Sequence, residues 1–131
     1  MIVDNPEATI VGDWTCASGA SGAYNSDHCY HVAGDGSDTA TWTPNIPEAR
    51  SYNVYAWWTE YSNRATNAKY TINYDGGSEV VEVNQRINGS KWNYLGTYSF
   101  AAGTSGSVVL SDDGNGYIMA DAIKFEPGLA W

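Results

Sequence analysis

The chain of 131 residues shows no sustained helical periodicity along its length. Short runs rich in Val, Ile, Thr, Tyr and Trp recur instead, separated by clusters of Gly, Asn, Asp and Pro. Period-two alternation between such clusters is typical of β-strands. The pattern predicts ten strands: 2–4, 9–15, 30–33, 39–43, 52–60, 70–74, 79–84, 92–100, 107–111 and 117–125. Ten short strands without a helix indicate an all-β, antiparallel jelly-roll β-sandwich.

Turn residues punctuate the chain without dividing it into domains. Asp75-Gly76-Gly77 lies between two predicted strands, and Asp-Gly tolerates the positive φ that tight hairpin turns require. Residues 103–106 and 113–116 are further predicted turns. No internal repeat or linker is visible, and 131 residues suit one domain with one core. We expect residues 1–131 to form a single module that was taken from a larger multidomain protein.

The chain is strongly acidic, with 15 Asp and Glu residues, six Lys and Arg residues and a net charge of −9. Nucleic-acid binding depends on phosphate neutralisation by Lys and Arg, and anionic membranes make the same demand. No stretch of the sequence is long and apolar enough to span a bilayer. We therefore expect a protein that binds neither nucleic acid nor a membrane. We also expect it to be a monomer.

Cys16 and Cys29 are the two cysteines of the chain. They predict a disulfide, with two free thiols as the alternative, because no further ligand at zinc-site spacing accompanies them. Closing a loop of this length stabilises a fold by about 3 kcal/mol in the chain-entropy model. A disulfide implies an oxidising compartment, so we expect a secreted, extracellular protein.

The segment SYNVYAWWTEY at residues 51–61 is the most informative predicted strand. Alternate side chains of a strand point to opposite faces. The inward face is predicted to hold the mainly apolar set Tyr52, Val54, Ala56 and Trp58. The outward face then carries two large aromatic residues, Tyr55 and Trp57, between Asn53 and Thr59. We expect Tyr55 and Trp57 to form a platform; the alternative is that another layer covers them and both are structural.

A sugar presents apolar C–H faces ringed by hydroxyls, so its site combines aromatic rings with polar groups. The chain favours ten Tyr and six Trp over two Phe, as expected where ring edges meet polar ligands. Candidate ligand-binding residues beside Tyr55 and Trp57 are Asn63, Arg64, Asn67, Lys69, Arg86, Lys91 and Trp92. The four basic members predict a local positive patch for uronic acid or pyruvate groups. Alternatively, they satisfy backbone groups or are scattered solubilising charges.

A further candidate extension of this site surrounds the cysteine loop, and its members are Trp14, Tyr24, Tyr30 and His31. Enzyme activity is not expected, because no Gly-x-Ser-x-Gly, His-Glu-x-x-His, P-loop or dinucleotide motif is present. A small sandwich also offers a shallow face more readily than a deep pocket that excludes water.

Three runs of the chain resemble a known family: YNVYAWWTEYSNRATNAKYTINYDGG, VNQRINGSKWNYLGTYSFAAG and VVLSDDGNGYIMADAIKFEP. Together they resemble the golvesin C-terminal-like domain, also described as the xanthan lyase carbohydrate-binding-like domain. The resemblance implies a jelly-roll sandwich appended to secreted bacterial polysaccharide lyases, hydrolases and cell-wall proteins. The cysteine pair is not part of the family pattern.

A buried carboxylate is also predicted. Asp121 shares the parity of Met119, Ile123 and Phe125, the expected inward face, and a buried carboxylate is costly unless it is paired, hydrogen-bonded or bound to metal. Many jelly-roll sugar-binding modules hold a structural Ca²⁺ between an acidic residue near the N-terminus and an Asp in the last strand. The resemblance to that architecture makes Asp4 and Asp121 candidate Ca²⁺ ligands. Alternatively, Asp121 accepts hydrogen bonds from backbone N–H or Tyr groups.

The resemblance and the residues together predict a non-catalytic carbohydrate-binding module that targets an appended catalytic domain to an extracellular polysaccharide. An anionic polysaccharide such as xanthan is the leading ligand. The alternative function is a structural or protein-interaction sandwich that spaces or docks domains and binds no sugar. No cofactor is required for either function.

Overall fold

The computed structural model describes residues 1–128. The last three residues of the predicted 1–131 module lie outside the described residues. The strands are β1 (Ile2–Asp4), β2 (Thr9–Val11), β3 (Thr15–Ser18), β4 (Asp27–His31), β5 (Thr39–Trp42), β6 (Arg50–Trp57), β7 (Ala68–Tyr74), β8 (Gly77–Val83), β9 (Asn93–Phe100), β10 (Ser107–Ser111), β11 (Ile118–Ala120) and β12 (Ala122–Pro127). Two single-turn 3₁₀ helices, Asn5–Glu7 and Tyr24–Ser26, interrupt them. The all-β prediction is therefore confirmed. Within residues 1–128, no helix has the length and apolar character needed to cross a membrane.

The strands form three antiparallel sheets. A four-stranded sheet has the order β1-β12-β6-β9, a five-stranded sheet has the order β2-β5-β10-β7-β8, and a small sheet has the order β11-β4-β3. Buried side chains from all three sheets make one core, and the Tyr74 and Tyr98 rings meet across the two large sheets at a centroid distance of 5.1 Å. The arrangement is a β-sandwich of two large sheets with a small third sheet made of β11, β4 and β3.

The alternation predicted for the strand at residues 51–61 is confirmed. Tyr52, Val54, Ala56 and Trp58 are each at most 2% exposed, whereas Tyr55 and Trp57 are only half-buried. The predicted outward position of Thr59 is wrong, because β6 ends at Trp57 and Thr59 turns inward to contact His28. The chain therefore leaves the sheet between the platform residues and the loop that holds Arg64.

Two predicted strands are each split in the structure. The segment 117–125 breaks at Asp121, where the chain passes from β11 in the small sheet to β12 in the four-stranded sheet. The segment 9–15 breaks at Gly12, which has a φ of 96° and would place a Cβ 2.0 Å from the Asp38 carboxyl carbon. Both breaks bring a carboxylate against the backbone, which period-two alternation does not reveal.

The predicted hairpin and disulfide are both confirmed. Residues Tyr74 and Gly77 pair across the turn between β7 and β8, and within that turn only Gly76 has a positive φ. Cys16 and Cys29 are paired in register across β3 and β4 and are joined by a disulfide. The bond closes the loop between these strands, and the same loop carries side chains into two of the sites described below.

Candidate functional site

A cleft of about 270 Å³ lies between the small sheet and the loop after β6. Its lining combines two tyrosine rings with polar and cationic groups: His28, Tyr30, Asn63, Arg64, Tyr117 and Met119. The Tyr30 and Tyr117 rings meet edge to face at 6.2 Å. A parallel bridge between Arg64 and Tyr117 fixes the loop after β6 against the residue that precedes β11. This cleft joins two predicted site residues, Asn63 and Arg64, with Tyr30 from the cysteine-loop group.

Arg64 is held by its own loop and is half-buried. Its Nε donates to Thr59 O at 3.2 Å, NH2 donates to Thr59 Oγ1 at 3.2 Å, and NH1 donates to Asn63 Oδ1 at 2.8 Å. A guanidinium has five N–H donors, so these three bonds leave one N–H on each terminal nitrogen. The side chain is thus positioned in advance, with two donors left for a ligand in the cleft.

His28 forms the inner wall of the cleft. Its Nδ1 lies 3.1 Å from the Thr59 hydroxyl, which also accepts from Arg64. Burial, followed by the charge of Arg64, lowers the pKa of His28 below its ordinary value of 6.5. The ring is therefore neutral at pH 7, and Arg64 is the cationic side chain among the described lining residues.

The four predicted basic residues do not converge on one patch. Lys69 lies 3.4 Å from a carboxylate oxygen of Asp113 and also donates to Asp113 O. Arg86 donates from Nε to Arg64 O at 2.7 Å, so it supports the cleft from behind. Lys91 is exposed on the loop before β9. Of the four, Arg64 alone lines the cleft.

Asn67 is used within the fold. Its Oδ1 accepts from Asn115 N at 2.9 Å, and Asn115 Oδ1 in turn accepts from Thr66 N at 2.8 Å. These bonds hold the loop after β6 against the turn at residues 113–116. Asn67 therefore shapes one border of the loop region instead of pointing into the cleft lining.

A second cluster of aromatic rings lies on the outer side of the four-stranded sheet. We call it the outer aromatic face, and its members are Tyr24, Tyr55, Trp57, Trp92, Tyr94 and Lys124. Trp57 meets Tyr24 at 5.7 Å and Trp92 at 5.4 Å, while Tyr55 meets Tyr94 at 5.6 Å between centroids. The face contains the predicted residues Tyr55, Trp57 and Trp92, and it is a separate surface from the Arg64 cleft. Tyr94 and Lys124 were not predicted because strand register brings them beside Tyr55.

Three carboxylates meet where β11 gives way to β12. Oxygens of Asp4, Asp27 and Asp121 all lie within 4.8 Å of one another, and Asp121 is completely buried. Asp121 Oδ2 accepts from Tyr24 N at 3.0 Å, as the hydrogen-bond alternative predicted, but Oδ1 has no hydrogen-bond partner among residues 1–128. Burial raises the pKa of Asp4 and Asp121 well above the usual range, and the neighbouring carboxylates add to the effect.

Asn5 completes this cluster. Its amide terminus lies 2.9 Å from Asp4 Oδ1 and 3.0 Å from both Asp27 O and Asp27 Oδ1. With the amide nitrogen directed to Cys29 Sγ at 3.5 Å, the amide oxygen faces those three oxygens. Only the opposite orientation satisfies the amide, because its nitrogen then donates to Asp4 Oδ1, Asp27 O and Asp27 Oδ1. Carboxylate oxygens are ligands that Ca²⁺ prefers, so the three Asp side chains fit this ion, and Asn5 is their hydrogen-bond partner. Asp27 was missed because the loop between the cysteines gives no periodic signal.

His31 belongs to a different network, which ties three loops together. Nδ1 lies 2.5 Å from Val32 O, and Nε2 lies 2.7 Å from Asp38 Oδ2 and 3.6 Å from Asp112 Oδ2. Both ring nitrogens face acceptors, so the doubly protonated ring donates on both sides, and in that form it has no lone pair for a metal. The Trp14 ring packs on the imidazole edge at 5.2 Å. Trp14 and His31 therefore lie apart from Tyr24 and Tyr30, with which they were grouped from sequence.

We expect the free energy of unfolding to fall as the pH rises above 6.5. Burial lowers the pKa of His31, but the bonds to Val32 and Asp38 and the charge of Asp112 outweigh it, and the net shift is upward. A raised folded-state pKa gives stability that is complete below the unfolded value and lost as pH passes the folded value. Urea unfolding between pH 6.5 and 9 in saturating calcium measures this slope. His31→Gln is expected to flatten it and His28→Gln to keep it; an unchanged slope in His31→Gln would contradict the assignment.

A family model described as the golvesin C-terminal domain matches residues 1–127. Xanthan lyase from Bacillus sp. (strain GL1) is 37% identical over 133 residues, covering 95% of this chain and 14% of that enzyme. The structure of Paenibacillus xanthan lyase is similar with a TM-score of 0.91 and 40% identity, covering 98% of this chain and 13% of that one. The chain thus spans about one seventh of the length of these relatives.

A more distant solved structure shares the fold. The family 35 carbohydrate binding module from Clostridium thermocellum has a TM-score of 0.69 at 11% identity, covering 96% of this chain and 98% of that module. The predicted family resemblance is confirmed by the family match and by the identity to the xanthan lyases. The chain belongs to the golvesin C-terminal domain family.

Proposed function

We propose that this chain is a non-catalytic carbohydrate-binding module that attaches a larger extracellular enzyme to its polysaccharide. The observation that carries the proposal is the cleft that holds Arg64 beside Tyr30 and Tyr117. The two rings supply apolar faces for C–H groups, and the spare guanidinium donors supply hydrogen bonds. A module of this kind acts by proximity, since tethering raises the effective concentration of the enzyme near its substrate.

The ligand we propose is an anionic glycan such as xanthan, which carries carboxylate groups. Two N–H donors on one planar guanidinium suit bidentate pairing with a single carboxylate. His28 is neutral at pH 7, and Lys69 is paired with Asp113, so the cleft offers one positive charge. The identity to xanthan lyases supports the same class of ligand.

A structural Ca²⁺ ion is the second part of the proposal. Asp4, Asp27 and Asp121 would hold the ion, as their carboxylate oxygens fit its preferred ligands. When bound, the ion neutralises these carboxylates. It also joins β1, the start of β4 and the point between β11 and β12 where the chain changes sheets. The disulfide supports an oxidising, extracellular compartment for the module.

Native affinity electrophoresis against xanthan, gellan, alginate and neutral glucans tests the function. We expect retardation by an acidic glycan, and we expect Arg64→Ala to weaken it about tenfold to a hundredfold, as for a lost charge-assisted hydrogen bond. Arg64→Lys keeps the charge but not the fork, and it is expected to fall between the two. Arg50→Ala at the far end of β6 is the matched control, because the Arg50 side chain lies away from the cleft, where it donates to Gly128 O at 2.7 Å.

The outcomes are distinct. Retardation by neutral glucans alone would contradict the anionic ligand and retain sugar binding. Equal retardation of the wild type and a folded Arg64→Ala variant would show that the cleft is not the glycan-binding site. Failure of every glycan to retard the wild type would overturn the module and favour a domain-docking sandwich.

A further inference from the structure

We propose that the outer aromatic face is a second glycan subsite, which binds a further part of the same anionic polysaccharide chain. This inference rests on the proposed function, because it extends the ligand beyond the Arg64 cleft. The face lies on the four-stranded sheet, whereas the cleft lies between the small sheet and the loop after β6. A ligand that reaches both surfaces has to be a polymer rather than a single sugar.

The face is built by strand register. Lys124 on β12 pairs with Tyr55 on β6, and Tyr55 pairs with Tyr94 on β9, so the three side chains form one rung across the sheet. The ammonium of Lys124 lies 4.5 Å from the Tyr55 ring centre and 5.1 Å from that of Trp92. Tyr94 is 59% exposed. The rung thus combines exposed ring surface with a positioned cation.

Polar groups occupy the neighbouring rung. Asn53 pairs with Thr97, and the Thr97 hydroxyl lies 2.6 Å from Asn53 Oδ1 and 2.5 Å from the Tyr94 hydroxyl. Successive rungs on one face of a strand are separated by about 7 Å. Ring surface and hydrogen-bonding groups therefore alternate along the face, which matches the apolar C–H faces and hydroxyls of a glycan chain.

The face and the cleft are linked by two neighbouring segments of the chain. Trp57 Nε1 donates to Gly22 O at 3.0 Å, and the Tyr24 ring packs on Trp57. Farther along the same two segments, His28 contacts Thr59 beside Arg64. The residues at 22–28 and 57–59 thus connect the outer aromatic face to the wall of the cleft; because His28 and Thr59 are buried, the polysaccharide would pass over the surface above them.

The charge of Lys124 favours an anionic polymer. The cation lies over the Tyr55 and Trp92 rings, and the one carboxylate of the neighbouring rung is that of Glu126, which pairs with Asn53 and acts on the Tyr55 hydroxyl. A cation above an aromatic ring retains attraction for a carboxylate, and burial of both strengthens the pair. We therefore expect salt to weaken the contribution of the face along with that of Arg64.

The test compares xanthan oligosaccharides of one repeat unit with those of several, by isothermal titration calorimetry on the full chain. Tyr94→Ala and Lys124→Gln are expected to weaken binding of the longer oligosaccharide about fivefold to tenfold and to leave the short one unchanged. Tyr94→Phe keeps the ring and is expected to keep most of the affinity. Val80→Ala, an exposed apolar position on β8, is the control for surface truncation.

The results separate this inference from the proposed function. Arg64→Ala is expected to weaken binding of both oligosaccharides. If Arg64→Ala has that effect while Tyr94→Ala and Lys124→Gln bind the longer oligosaccharide like the wild type, the second subsite is wrong and the cleft stands. An outer aromatic face covered by a neighbouring domain would give this result. If the wild type binds neither oligosaccharide, both proposals fail.

Discussion

Calcium added to the metal-free protein is expected to raise its melting temperature by about 10 °C. An ion that binds only the folded state stabilises it by about 2.7 kcal/mol when free calcium is 100-fold above Kd. For a domain of this size, one kcal/mol corresponds to roughly 4 °C. The expected cause is the release of repulsion among the carboxylates of Asp4, Asp27 and Asp121, since burial disfavours the charged forms of Asp4 and Asp121. Differential scanning fluorimetry with EDTA and then with CaCl₂ measures the change.

Asp121→Asn distinguishes a metal site from a hydrogen-bonded carboxylate. The amide keeps an acceptor for Tyr24 N but cannot become the carboxylate that would bind calcium, so this variant should lose the calcium response. In EDTA it is expected to be at least as stable as the wild type, because it avoids the cost of ionising a buried carboxyl whose pKa is raised to about 8. Asp75→Asn, in the exposed turn before β8, is the matched control and should respond like the wild type. A wild-type melting temperature that does not change with EDTA would refute the calcium site.

Reduction of the Cys16–Cys29 disulfide is expected to lower the free energy of unfolding by about 3 kcal/mol, or roughly 10 °C in melting temperature. The loop that it closes also carries Tyr24 N to Asp121 and Asp27 to the carboxylate cluster. We therefore expect the reduced protein to bind calcium more weakly, since the loop ligands must be ordered when the ion binds.

Urea unfolding and calcium titration of the oxidised and reduced protein test this coupling with the same side chains in both samples. The double variant Cys16→Ser/Cys29→Ala provides an independent form without the bond. A stability loss with unchanged calcium affinity would show that the disulfide acts on the unfolded chain alone. No loss of stability in either form would contradict the expected contribution of the bond.

The sequence predicted the parts of the fold that follow from local periodicity. Tyr52, Val54, Ala56 and Trp58 were placed inward because side chains alternate along a strand, and the structure agrees. The break at Asp121 was not predicted, because the apolar parity of the segment continues through the residue where the chain changes sheets. The residue was nevertheless recognised as a buried carboxylate, since its parity placed it inward.

The candidate site was predicted in its residue types and only in part in its assembly. Arg64 and Trp57 are seven residues apart and were assigned to one surface, yet β6 ends between them and places them on different ones. Lys69 was predicted to join a local positive patch, and it lies instead beside Asp113, which is far along the chain. Tyr94 and Lys124 gave no signal, because their contact with Tyr55 depends on the register of three strands.

The sequence by itself determined the all-β class, the core face of β6, the hairpin at Gly76 and the pairing of its two cysteines. The first three follow from backbone geometry over a few residues. The disulfide follows because a chain with two cysteines has only one possible pairing. Only the tertiary structure decided which residues meet in the Arg64 cleft, on the outer aromatic face and around Asp121. The reason is physical: these contacts join segments far apart in the chain, and strand register, sheet order and the change of sheet at Asp121 set their distances.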